Sequence, residues 1–164
     1  MPRVLVIYFS KTGNTERMAR AVADGASAEG VDVVCKPVQE TSVDELLTVD
    51  GVAIGSPTYY GTMAAEIKRF IDESVRHHRH LEGKVGAAFS SAGGPGGGAE
   101  TTVLDIVKAL LIHGMIVQGD SRGDHYGPTA VGRPDERSLK ECQRCGQRLA
   151  HLVRRLATQK DAET

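Results

Sequence analysis

The sequence predicts a doubly wound α/β fold: a five-stranded parallel sheet in the order 2-1-3-4-5, with helices on both faces. Three observations carry this reading. Apolar strand-like runs alternate with longer amphipathic stretches along all 164 residues. The runs are nearly unbroken, as in strands covered on both faces, and do not alternate as half-exposed strands do. The segments following runs 1, 3 and 4, "SKTGNT", "PTYYGTM" and "SSAGGPGGGAE", are rich in hydroxyls, glycine or aromatics, whereas "HLEG" and "IHG" at the opposite end are not. In this fold the ligand crevice lies at the carboxyl ends of the strands, so that asymmetry says where a ligand binds.

The strands, in order, are 3–9 "RVLVIYF", 32–38 "DVVCKPV", 51–56 "GVAIGS", 84–90 "KVGAAFS" and 115–118 "MIVQ". Helical periodicity covers 15–29, 64–78, 99–113 and 135–157, with a short weak helix near 43–47. In the last helix Leu139, Cys142, Leu149, Leu152 and Leu156 fall near one apolar stripe. Residues 1–157 therefore form one domain, and 158–164 are expected to be a disordered tail.

Composition narrows the function. Apolar residues make up 40% and charged residues 25%, ordinary values for a soluble globular protein. The net charge of −1 argues against nucleic acid as a partner. No apolar stretch approaches membrane-spanning length, and "MPRVLVIYFS" enters a strand too early for a signal peptide. Three cysteines do not suggest a disulfide framework, so a cytoplasmic location is expected.

The first loop carries the clearest chemistry. The apolar run stops abruptly at Ser10, five small or polar residues follow, and a helical pattern begins at Glu16. Ser10, Thr12, Asn14 and Thr15 each offer a side-chain donor, and Gly13 lets the backbone turn tightly. The helix that follows presents unpaired N–H groups and the positive end of its dipole. Together these suit a phosphate. A plain N-cap needs only one such residue. The GxxxxGK[ST] pattern is absent, which argues against a nucleoside triphosphatase.

At this point a resemblance becomes specific. "SKTGNTERMA" resembles the phosphate loop of the flavodoxin family, and "GSPTYYGTM" and "FSSAGGPGGGAE" are similar to the flavin-ring loops of one branch. That branch is the flavodoxin-like NAD(P)H:quinone oxidoreductases of the tryptophan-repressor-binding-protein type. "HGMIVQG" and "HYGPTAVG" extend the likeness nearly to the end of the chain. The resemblance implies a flavodoxin-like fold and FMN as cofactor. It implies that Ser10, Lys11, Thr12, Gly13, Asn14 and Thr15 hold the phosphate, and that Pro57, Thr58, Tyr59, Tyr60 and Gly61 line one side of the isoalloxazine. Ser91, Ala92, Gly93, Gly94, Gly96, Gly97 and Gly98 would contact its pyrimidine edge and ribityl chain. His113 matches a histidine that the branch places at the flavin.

His113 closes a helix that starts at the ligand end of the sheet. Fifteen residues at 1.5 Å rise carry it roughly 20 Å away, so it would reach a flavin only across the interface of a homo-oligomer. The bland alternative is a histidine favoured by the helix dipole, with Gly114 as the C-terminal stop. The connection "QETSVDELLTVD" is shorter than in the branch, which carries an insertion there, and tryptophan is absent.

Other features receive structural readings. The GxGxxA match in "GGPGGGAE" follows strand 4, where glycine lets the backbone approach a flat ring. "HHRH" at 77–80 suits a helix C-terminus better than a metal, and no metal ligand set is assigned. Cys142 and Cys145 read as buried structural thiols rather than a redox pair. GxSxG is absent, so hydrolysis has no support.

The leading expectation is an FMN-dependent oxidoreductase taking electrons from NAD(P)H and passing them to a quinone-like acceptor. The alternative is a flavodoxin acting as a one-electron carrier between protein partners, with a redox protein as donor. A third is a regulatory module holding flavin or nothing. The segments "PTYYGTM" and "SSAGGPGGG" contain no acid, and His125 is expected in a loop at the same end, which predicts a less negative potential than in an acid-crowded carrier. No catalytic side chain is assigned.

Overall fold

A computed structural model describes residues 1–162. Its strands are β1 (Arg3–Tyr8), β2 (Asp32–Pro37), β3 (Gly51–Tyr59), β4 (Thr62–Met63), β5 (Val85–Ala92), β6 (Ile116–Val117) and β7 (Thr129–Val131). Its α-helices are α1 (Asn14–Ser27), α2 (Ala65–Glu73), α3 (Ala99–Ile112) and α4 (Glu136–Ala162). The main path through the sheet is β2-β1-β3-β5-β6, the predicted 2-1-3-4-5 order once the antiparallel β4 is set aside. Parallel registers pair Val4 with Val33, Val6 with Ala53, Ala53 with Ala87 and Val85 with Ile116.

Side chains alternate across a strand, so continuous apolar runs feed two cores at once. Leu5, Ile7, Val52, Ile54 and Ala88 join Ile67, Phe70, Val103 and Ile106 on the α2/α3 face. Val4, Val6, Ala53, Val85 and Phe89 join Met18, Val22, Leu149 and Val153 on the α1/α4 face. On that second face α1 and α4 cross backbone to backbone. A Cβ at Gly25 would lie 1.9 Å from the Gln143 carbonyl oxygen, and one at Gly146 would lie 1.9 Å from that of Val22. Only hydrogen fits at either position.

The structure departs from the sequence expectation in several places. The third strand runs beyond residue 56 to Tyr59, because its end pairs with β4 in a hairpin. The second helix stops at Glu73 and tightens into a 3-10 turn over Ser74–His77. The weak helix near 43–47 is a 3-10 turn over Val43–Thr48, opened by a capping box of Ser42 and Glu45. The fifth strand is split: β6 pairs with the start of β5, and β7 with its end.

Residues 118–128 leave the sheet between these halves and are tied to α4. Asp120 receives the Arg144 guanidinium through two nitrogens at 2.6 and 2.8 Å, and the Arg122 N–H at 2.9 Å. Asp124 accepts from the Thr129 N–H at 2.8 Å and pairs with Arg137. α4 continues through Ala162, so part of the expected tail is helical; residues 163–164 lie outside the described residues. Among the described residues no helix is long and apolar enough to cross a membrane.

Candidate ligand site at the carboxyl edge of the sheet

Between β1 and α1 the chain turns at Gly13, whose φ of 90° is left-handed and whose position as N-cap brings no side-chain cap. The hydroxyl and amide groups of this loop are therefore not spent on capping. Ser10 Oγ accepts the Gly13 N–H at 3.1 Å, which leaves the Ser10 proton to donate elsewhere. Lys11 and Thr12 are exposed, and Asn14 is half-buried. The acid in the first turn of α1, Glu16, is held by Arg20 at 2.6 Å. Thr15 differs from its neighbours: it is buried, and its hydroxyl lies 2.9 Å from that of Ser91.

The second loop is a β-hairpin. β3 and β4 pair Thr58 with Met63 and Tyr59 with Thr62, leaving Tyr60 and Gly61 as a two-residue turn with φ of 50° and 81°. Positive φ at both central residues marks the type I′ turn, which matches the twist of the flanking strands. Glycine takes this conformation freely, but tyrosine is strained there. Tyr60 is wholly exposed, whereas Tyr59 meets Phe9 edge-on, with ring centroids 6.4 Å apart.

Thr58 turns its hydroxyl inward, into a chain of neighbours. It lies 3.0 Å from Ser90 Oγ and 3.1 Å from Thr102 Oγ1, and Ser90 in turn donates to the Ser56 carbonyl at 2.8 Å. Ser56 Oγ also accepts the Ala64 N–H at 2.8 Å. These buried hydroxyls lock β3, β5, the hairpin and the start of α3 together. Pro57 stands level with Ser91 across the sheet and is half-buried.

The third loop leaves β5 at Ala92 and enters α3 at Ala99. Gly93, Gly94 and Gly96 would present a Cβ to open space, and Gly97 packs back on the Gly94 carbonyl. Gly98 touches the hairpin: its Cβ would lie 3.1 Å from the Gly61 Cα. Ala92 is buried, and its carbonyl accepts the Gly132 N–H at 2.8 Å. This bond sets the exposed Val131 and Arg133 beside the third loop, a contribution of β7 that a run of three residues does not signal.

His113 stands apart from all three loops. It closes α3 at the opposite end of the sheet, with Nε2 2.7 Å from Ser74 Oγ. Ser74 donates its own proton to the Ile71 carbonyl at 2.6 Å, so His113 carries its hydrogen on Nε2. Nδ1 is then a bare lone pair, buried without a partner among the described residues. Burial first, then the nearby His78 and His77, lower its pKa. The imidazole faces inward and is engaged within its own chain.

His113 thus stands at the opposite end, as helix length requires, whereas His125 is not where the sequence reading puts it. Its Nδ1 lies 2.7 Å from the Asp120 carbonyl oxygen, and it lines a small cleft of about 40 Å³ between β5, residues 117–128 and α4. That cleft is separate from the three loops. Cys145 also lines it; burial pushes its thiol up to about 12 and raises that of Cys142 as well. Thiols held so firmly protonated are poor nucleophiles and poor redox partners. In "HHRH", His77 pairs with Asp44 at 2.7 Å and the His78 ring tilts toward His113.

The residues at the carboxyl edge fit a flavin mononucleotide. Loop 10–15 supplies free hydroxyls, an amide, one ammonium and the uncapped N–H groups of α1, with no carboxylate of its own. Open glycine backbone lies across from an exposed aromatic hairpin, as a flat ring requires. Thr15 and Thr58 are exceptions in detail, since their side chains bond inward.

Comparison with known proteins agrees. Residues 5–103 match the family model described as a flavodoxin domain. A protein named flavodoxin in Aquifex aeolicus is 43% identical, with 93% of this chain and 88% of that protein covered. A protein named NAD(P)H dehydrogenase (quinone) in Archaeoglobus fulgidus is 37% identical, over 95% of this chain and all of that protein. That alignment spans 190 positions, more than this chain has residues, so the relative carries segments absent here. The solved flavodoxin, WrbA-like protein from Agrobacterium tumefaciens superimposes with a TM-score of 0.82 at 26% identity, covering 94% and 99% of the two chains.

Proposed function

This chain belongs to the flavodoxin family, and on that premise we propose that it binds FMN and passes electrons from NAD(P)H to a quinone-like acceptor. One observation carries the choice of oxidoreductase over carrier. Loops 10–15, 57–62 and 91–98 contain no carboxylate; of the acids that flank them, Glu16 and Asp105 are each paired with a cation, and Glu100 stands in the first turn of α3, beyond the loop. A negative charge gained in the crevice therefore meets no repulsion from the loops. The relative named NAD(P)H dehydrogenase (quinone) supports the same reading.

Ser10, Thr12 and Asn14, with the N–H groups opening α1, would hold the phosphate, and Lys11 would add charge beside it. Tyr59, Tyr60 and Gly61 would face the ring on one side, and the backbone of Gly93, Gly94 and Gly96 on another. Bound FMN supplies the capacity to accept and release electrons; the protein orients it and sets access and potential. The cytoplasm, where cysteines stay reduced, suits the free Cys35, Cys142 and Cys145.

A one-electron carrier is the second reading, favoured by the 43% identity to a protein named flavodoxin. Stopped-flow mixing of the FMN-loaded protein with NADH and with NADPH separates the two. Reduction within seconds by either nucleotide identifies an enzyme. No reduction by either leaves the carrier.

A further inference from the structure

We propose that Thr101 is a positioning residue: its hydroxyl clamps the hairpin tip, through the Gly61 carbonyl, in the orientation that receives the ring. The inference rests on the flavin-binding reading. It begins with a strained turn, Tyr60 and Gly61 at φ of 50° and 81°, on a strand, β4, of only two residues. So short a hairpin has little pairing of its own to define where its tip points.

The definition comes from α3. Thr101 Oγ1 lies 3.0 Å from the Gly61 carbonyl oxygen and 2.9 Å from that of Gly98. A hydroxyl has one proton, so it must choose. The Gly98 carbonyl already accepts the Thr102 N–H at 2.9 Å, while the Thr102 hydroxyl lies between it, at 2.9 Å, and Thr58 Oγ1, at 3.1 Å. Among the described residues no other hydrogen bond reaches the Gly61 carbonyl. The Thr101 proton therefore belongs to Gly61.

One helical turn further on, Asp105 Oδ2 accepts the Thr62 hydroxyl at 2.6 Å. Residues four apart lie one above the other on a helix, so Thr101 and Asp105 form a two-point rail along the hairpin. Gly98 brings the surfaces into contact, since a Cβ there would press on the Gly61 Cα. The rail turns the Gly61 carbonyl toward α3 before any ligand arrives. That pre-organisation lowers the ordering cost of binding.

The test uses the full chain with Thr101→Val and Thr101→Ser. Thr101 is exposed, and valine matches it in shape, so circular dichroism should stay unchanged. In the apoprotein, hydrogen exchange at residues 58–63 should speed up about tenfold in Thr101→Val, the worth of one net hydrogen bond, while β1 stays protected. FMN should bind about tenfold more weakly to the same variant. Thr101→Ser keeps the hydroxyl and should restore both. Unchanged exchange and affinity in Thr101→Val would overturn the clamp, as would a serine variant as impaired as valine. A wild-type chain that does not bind FMN would remove the flavin reading instead, and the exchange comparison would still decide the clamp.

Discussion

The hydroxyls of Thr15 and Ser91 meet at 2.9 Å in the protein interior, joining the first turn of α1 to the end of β5. The loop that opens α1 and the loop that follows β5 are thereby one mechanical unit. Removing one partner strands the other as a buried, unpaired hydroxyl, at about 1–3 kcal/mol. Ser91→Ala and Thr15→Val should each destabilise the apoprotein by that order. The double variant should lose less than the sum, because no orphan remains. Urea denaturation of all four forms measures the coupling; strictly additive losses would show that the pair does not act together.

Tyr60 should trade stability against binding. Its ring is wholly exposed and its φ is 50°, so it costs the fold strain and returns no packing. Asparagine is a preferred residue at this turn position. Tyr60→Asn should raise apoprotein stability by about 0.5–1 kcal/mol and weaken FMN binding by about 1–3 kcal/mol. Tyr59→Ala should lower stability as well, since it breaks the contact with Phe9. Thermal melts with FMN fluorescence titrations check both, and unchanged FMN affinity in Tyr60→Asn would remove Tyr60 from the ring site.

The α1–α4 crossing should be intolerant of a single methyl group. Gly25→Ala and Gly146→Ala each place a carbon 1.9 Å from a backbone oxygen, and a carbonyl cannot rotate aside as a side chain can. The helices must separate, at about 1–3 kcal/mol or more. Melting temperatures of the two variants test this. Gly30→Ala, where nothing lies within 4 Å but φ is 75°, isolates backbone strain for comparison.

His113 should make stability depend on pH. Its folded pKa is lowered, by burial first and then by His78 and His77, whereas the unfolded value is about 6.5. The unfolded chain therefore binds the extra proton more readily. The stabilisation is complete above about pH 6.5 and is lost as pH falls through the lower folded pKa. His113→Gln should flatten this slope in denaturation curves between about pH 5 and 8. An identical slope in the variant would assign the dependence to other groups.

Much of this architecture is written locally. Each apolar run that became β1, β3 or β5 contains enough consecutive buried positions to announce a two-faced strand, whereas β2 at the sheet edge is half-buried throughout, and the strand order followed from their alternation with helices. The three loops at the carboxyl edge were legible as a cluster, since hydroxyls, tyrosines and glycines gather within a few residues of strand ends. β7 was not, because three residues form a strand only when β5 offers an edge to pair with.

What the sequence by itself determined is the set of groups at the carboxyl edge; what only the tertiary structure decided is which way they point. Composition placed Thr15 and Thr58 in the loops, but partners 76 and 32 residues away turn their hydroxyls inward. Resemblance marked His113, and Ser74, with its own proton on the Ile71 carbonyl, fixes its tautomer. Thr101 looked like an ordinary helix residue until Gly61, 40 positions earlier, was seen to need its proton. Hydrogen bonds are directional and short, so the use of a polar side chain is settled by neighbours that only folding supplies.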